Sequence, residues 1–118
     1  MIQAFLICED PNFCEYLKER LRDFKDFVVC GEAAPDTSAT GHIIRTKPHL
    51  VIVETSNADN FKFVDELISA VPGQRVFWIW QQLNSETEKR ALSHHIAAVF
   101  AKDEDLKVLV RNARALLD

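Results

Sequence analysis

Pro48-His49-Leu50-Val51-Ile52-Val53-Glu54-Thr55 contains an unbroken aliphatic run, Leu50 to Val53, β-branched at three of its four positions. Pro48 bounds the run on one side and Ser56-Asn57 on the other. A short apolar run between breakers reads as a strand buried on both faces, and such strands sit at the centre of parallel sheets. The first residue able to leave the sheet at its carboxyl end is an acid, Glu54. Crevices in open α/β sheets lie just beyond the carboxyl ends of the central strands, so Glu54 stands where chemistry is expected.

Working outward, apolar strands alternate with helix-spaced segments. Ile2–Cys8 reads as a first buried strand, ending in Glu9-Asp10. Pro11 opens a helix with Asp10 as N-cap, and Phe13, Leu17, Leu21 and Phe24 form its apolar face. Phe27–Cys30 is a second strand, closed by Gly31. Pro35-Asp36-Thr37 opens a second helix with Ala39, Ile43 and Ile44 inward. Phe61, Val64, Leu67 and Ile68 mark a third helix, stopped by Pro72-Gly73. Arg75–Trp80 is a fourth strand. Asn84 or Ser85 caps a fourth helix, with Glu88 as capping-box partner of Ser85. Ala97–Ala101 is a fifth strand, and Asp103 caps a last helix bearing Leu106, Leu109, Val110 and Ala113.

Strands alternating with crossover-length helices run parallel, and right-handed crossovers cover both faces of the sheet. The expected fold is an α/β domain over 1–118 with a five-stranded, doubly wound sheet of order 2-1-3-4-5. In that order the first and third strands meet at the switch point. Glu9-Asp10, Glu54 and, from the fifth strand, Lys102 are thereby expected to converge at one edge.

Bulk composition narrows the function. The chain has 118 residues, 47% of them hydrophobic, enough for one core without disulfides. A net charge of −4 argues against a dedicated nucleic-acid surface. Cys8, Cys14 and Cys30 are odd in number and irregularly spaced, which points to a reducing, cytoplasmic setting. No apolar run approaches membrane-spanning length, and no signal peptide opens the chain. No His/Cys/Asp set suggests a nucleophilic triad, and no glycine-rich loop suggests nucleotide binding. His94-His95 diverge on a helix and do not chelate one metal together. Cys8 beside acids is a poor candidate for redox chemistry. Trp78 and Trp80 point to one face of their strand, one into the core and the other toward the pocket or a partner.

Over essentially its whole length the chain resembles the receiver domain of two-component response regulators. Cys8-Glu9-Asp10-Pro11 looks like that family's acidic pair after the first strand. Pro48–Glu54 is similar to its Pro-Asp-Leu-Val-Leu-Leu-Asp stretch. Gly31-Glu32-Ala33 and Lys102-Asp103 look most like receivers of LuxR-type transcription regulators, and the interval from Trp80 to Lys102 suits the family's interval from hydroxyl to lysine.

In that family an aspartate accepts a phosphoryl group from a partner kinase, with Mg²⁺ held by the acidic pair. A hydroxyl and the lysine bind the phosphoryl oxygens, and an aromatic on the fifth strand responds. Carried over residue by residue, the resemblance implies an atypical, or pseudo-, receiver. The acceptor position holds Glu54, whose extra methylene moves the carboxylate about 1.5 Å outward, and in-line transfer depends on positioning. The hydroxyl position holds Trp80, read as a plug in the phosphate pocket. The switch position holds Val99. Lys102 is retained. The acidic pair falls on Cys8/Glu9 in one register and Glu9/Asp10 in the other, so Mg²⁺ at Glu9 and Asp10 is expected to be weak or absent, and no other cofactor is implied.

Glu54 then has two readings: a built-in mimic of the phosphorylated state, or a relic acid ion-paired to Lys102. The resemblance implies a non-enzymatic domain that signals without phosphorylation, through a protein partner or self-association, with an output module such as a transcription regulator. The alternatives are a working phosphoacceptor using Glu54 or a nearby acid, and a receiver whose pocket, walled by Trp80, takes a small molecule. Trp78, Trp80, Gln81-Gln82 and His94-His95 point to the side of the fourth strand and helix as the contact face.

Overall fold

The computed structural model describes residues 1–81 and 84–117; Gln82, Leu83 and Asp118 lie outside the described residues. The elements run β1 Ile2–Cys8, α1 Pro11–Leu21, β2 Phe27–Ala33, α2 Thr37–Thr46, β3 Leu50–Glu54, a 3₁₀ turn Ala58–Asn60, α3 Phe61–Ala70, β4 Arg75–Trp80, α4 Ser85–Ser93, β5 Ala98–Ala101 and α5 Leu106–Leu117. The five strands are parallel in the order β2-β1-β3-β4-β5. This is the expected doubly wound arrangement. The run that suggested it, Leu50–Val53, is completely buried at the sheet centre.

Period-two alternation divides the core into two layers. On one face Leu6, Leu50, Ile52, Phe77, Ile79 and Phe100 pack under α1 and α5. On the other, Phe5, Ile7, Val51, Val53, Trp78 and Trp80 pack under α2, α3 and α4.

Several local expectations are corrected. Gly31 does not close β2; the strand continues to Ala33 through a bulge, because Ala4 pairs with Val29 while Phe5 pairs with Gly31. The Phe5 ring lies against that glycine, and a Cβ there would stand 2.5 Å from it. Ile44 is 47% exposed, as it lies off the buried stripe formed by Ala39 and Ile43. The α4 capping box joins Asn84 to Thr87 rather than Ser85 to Glu88: Thr87 N–H donates to Asn84 Oδ1 at 2.9 Å, and Asn84 N–H to Thr87 Oγ1 at 3.3 Å. Asp105, not Asp103, caps α5, accepting from Lys107 N–H at 2.9 Å. Residues 102–103 form a turn, so a cap at Asp103 would come too early. Strand β5 begins at Ala98, one residue after the expected start.

Candidate functional site

At the carboxyl edge of the sheet, three loops are tied to one another before any side chain is considered. Glu9 N–H donates to the Glu54 carbonyl at 3.0 Å, Thr55 N–H to Ile79 at 3.2 Å and Lys102 N–H to Trp80 at 2.8 Å. These bonds continue the sheet pairing, in which Cys8 faces Glu54, Glu54 faces Ile79 and Trp80 faces Ala101.

Glu54 sits inside this frame, 2% exposed. A buried carboxylate must be hydrogen-bonded or paired, and Glu54 is both. Asp10 N–H donates to its Oε1 at 2.9 Å, and Lys102 Nζ lies 3.3 Å from its Oε2. The ammonium lies 3.7 Å from Asp10 Oδ2 as well and 5.0 Å above the centre of the Phe13 ring, a cation–π position. Asp10 has a second role: its Oδ1 accepts from Asn12 N–H at 3.0 Å and caps α1, with Pro11 at the first helical position.

Of the three acids expected to meet Lys102, Glu54 and Asp10 do and Glu9 does not. Glu9 turns to the β3–α3 segment, accepting from Thr55 Oγ1 at 2.6 Å, Ser56 Oγ at 3.3 Å and Asn60 Nδ2 at 3.3 Å. The Thr55 hydroxyl first, with Ser56 and Asn60 behind it, holds the Glu9 carboxyl below the usual range. Cys8 contributes no oxygen; its side chain belongs to the α1/α5 core, and burial pushes its thiol up. Burial likewise pushes Cys14 up to about 11, so both thiols stay protonated at neutral pH.

A divalent cation of the Mg²⁺ type needs several oxygens aimed at one point. Here the carboxylates of Glu9, Asp10 and Glu54 are committed to three different sets of partners. Among the described residues no group of three His, Cys, Asp or Glu side chains could hold a metal. The acids as placed do not fit such an ion.

Trp80 is not a plug beside Lys102. Its ring packs against Phe61, edge-on at 5.8 Å, and against Trp78 at 5.3 Å. Alternation along β4 puts it with Trp78 on the α3/α4 face, whereas Glu54 shares the face of Ile52. Trp78 is fully buried and Trp80 is 7% exposed, so both belong to the core and neither lies open at a contact face. Val99 pairs with Trp78 on β5 and packs, half-buried, against the same aromatic cluster.

Three contributions escaped the sequence reading. Phe13 reads as one more apolar residue of α1, yet it supports the Lys102 ammonium. Ser56 reads only as a breaker after the strand, and Thr55 and Asn60 carry no signal of their own, yet all three receive Glu9. Asp65, on the polar side of α3, binds His94 at 2.9 Å. The signal available for the second of these was two hydroxyls directly after the acid of a central strand.

No family model matches the chain, and no curated protein matches it. Solved structures do. The chain is similar to a two-component response regulator of the LuxR family from Aurantimonas sp. SI85-9A1, at 17% identity over 99% of this chain and 85% of that one, with a TM-score of 0.89. It is similar to a DNA-binding response regulator of the LuxR family from Staphylococcus aureus, at 12% identity over 100% of both chains, TM-score 0.84. It is similar to the BeF3-activated N-terminal receiver domain of Klebsiella pneumoniae RstA, at 18% identity over 98% of this chain and 97% of that one, TM-score 0.83. The chain has the receiver fold.

Proposed function

We propose that this chain is an atypical receiver domain that signals without being phosphorylated, as a non-enzymatic module working through protein–protein contact. The observation that carries the reading is the state of Glu54: buried, with one oxygen on Asp10 N–H and the other on Lys102. An acceptor carboxylate must be free to attack, in line, a phosphorus held by a cation and a hydroxyl. Glu54 is committed, Trp80 brings no hydroxyl to the end of β4, and Glu9 and Asp10 face apart. Lys102 already has an anion, so the Glu54 carboxylate takes the place a phosphoryl group would have and holds the acidic edge in one state.

Acetyl phosphate with Mg²⁺ is expected to leave the intact mass unchanged. A stable phosphoryl adduct mapped to Glu54 or Asp10 would establish the phosphoacceptor reading instead.

With the site closed to a phosphoryl group, information resides in a surface away from it. The exposed side of α4 is our candidate, for a protein partner such as an output module or for a second copy. Leu92 is 47% exposed there, and Lys89 is exposed beside it. Lys89→Glu is expected to weaken association in sedimentation or pull-down, while Arg45→Glu on α2 leaves it intact. Arg90 is a poor test residue, because its guanidinium packs over Phe61 at 5.7 Å. Sensitivity to the α2 change and not to the α4 change would move the contact face to the other side of the domain.

A further inference from the structure

Helix α4 buries one residue, Ala91, whereas α1 and α5 each bury three and α3 buries four. A helix in a globular domain is stabilised mainly by packing of its apolar face, so α4 must be held by something else. Its C-terminal end supplies the means. His94 stacks on Phe61 with ring centroids 4.6 Å apart and planes 5° from parallel. Its Nδ1 reaches both oxygens of Asp65 on α3, at 2.9 and 3.0 Å. An N–H on Nδ1 makes that bond in the neutral tautomer and in the imidazolium alike. Arg90, one turn earlier, lies over the same Phe61 ring at 5.7 Å.

Phe61 is also stacked on Trp78, at 4.5 Å, and met edge-on by Trp80. Both indole N–H groups are buried and find no hydrogen-bond partner among the described residues. Buried donors without partners raise the free energy of the closed packing, and hydration on opening would relieve it. Among the described residues, the closure of α4 over this layer is thus held by few buried contacts and opposed by two unmet donors, the combination expected where a helix opens below the global unfolding limit.

We propose that α4 is a detachable cover, fastened by a clasp of His94, Asp65 and Arg90 around Phe61, and that releasing the clasp exposes the aromatic layer of Phe61, Trp78 and Trp80. This device is independent of whether Glu54 accepts a phosphoryl group.

Hydrogen exchange followed by mass spectrometry, with acrylamide quenching of tryptophan fluorescence, tests it on the whole chain. In His94→Ala, amides of α4 are expected to exchange about fivefold faster while α1 and α5 keep their rates, the size set by one partly exposed bond to a charged group. Quenching of the tryptophans is expected to rise in parallel. Asp65→Ala, at a side chain 48% exposed and so tolerant of change, is expected to do the same if His94→Ala fails to fold. Unchanged α4 exchange, acceleration shared equally with α1 and α5, or faster α4 exchange with unaltered quenching would each overturn the proposal.

Discussion

The two sides of β4 solve the problem of a crowded sheet edge in opposite ways. On the Glu54 side the solution is polar and saturated. A buried carboxylate spends both oxygens, Lys102 is shared by Glu54, Asp10 and the Phe13 ring, and the β1–α1 and β5–α5 loops are drawn together. On the Trp80 side the solution is aromatic and incomplete. Phe61, Trp78, Trp80 and His94 pack into one layer, but among the described residues two indole donors go unmet and the covering helix buries a single residue. Saturated polar networks specify one geometry, whereas half-satisfied ones leave alternatives close in free energy. The difference assigns rigidity to the acidic edge and adaptability to the α4 edge.

Substitutions that remove the centre of each region should reverse that order in bulk stability. Phe61 is 3% exposed and touches Trp78, Trp80, His94 and Arg90, so Phe61→Ala should cost about 3–5 kcal/mol in urea unfolding. Glu54→Ala leaves Lys102 with Asp10 and Phe13, and costs Asp10 N–H its acceptor. Because the Lys102 side chain is 21% exposed and can rehydrate, the loss should be about 1–3 kcal/mol. A larger loss at Glu54 than at Phe61 would make the acidic edge the true keystone. A Glu54→Ala variant as stable as the parent would reduce the Lys102 contact to a cosmetic one.

Most of the architecture is legible in the sequence because each strand is an apolar run of strand length and each crossover carries helical spacing. Leu50–Val53 is the plainest case. What escaped is decided by contacts between distant segments. Gly31 reads as a stop, but β2 continues there because the glycine lets the Phe5 ring of β1 lie against the strand. In the run Asp103-Glu104-Asp105 any of the acids can cap a helix, and the turn after Lys102 selects Asp105. At the site, the convergence of Glu54, Asp10 and Lys102 follows from strand order alone. The departure of Glu9 does not. Successive residues after β1 diverge, and only the folded β3–α3 segment offers the hydroxyls that draw Glu9 away. The side chosen by Trp80 follows from period two, but an expectation borrowed from a phosphate pocket overrode it.

The smallest expected effect separates Glu9 from the rigid pair beside it. Its carboxyl titrates below the usual range because Thr55, Ser56 and Asn60 donate to the ionised form. A carboxyl with a depressed folded-state pKa contributes stability that is fully present above the unfolded value, about 4.3 for glutamate, and is lost as pH falls through the folded one. Glu9 is exposed, so solvent screening keeps the contribution small. Glu9→Gln keeps the shape and one acceptor oxygen but cannot ionise. Thermal unfolding followed from pH 6 down to pH 3 should therefore show the parent losing slightly more stability than Glu9→Gln, the two curves approaching each other at the acid end. Parallel curves would mean that the Thr55 hydroxyl binds the neutral acid as well as the anion. A Glu9→Gln curve that also loses the Glu54-dependent stability at neutral pH would mean that the two acids act as one unit, and the contrast between a saturated pair and a separate neighbour would fail.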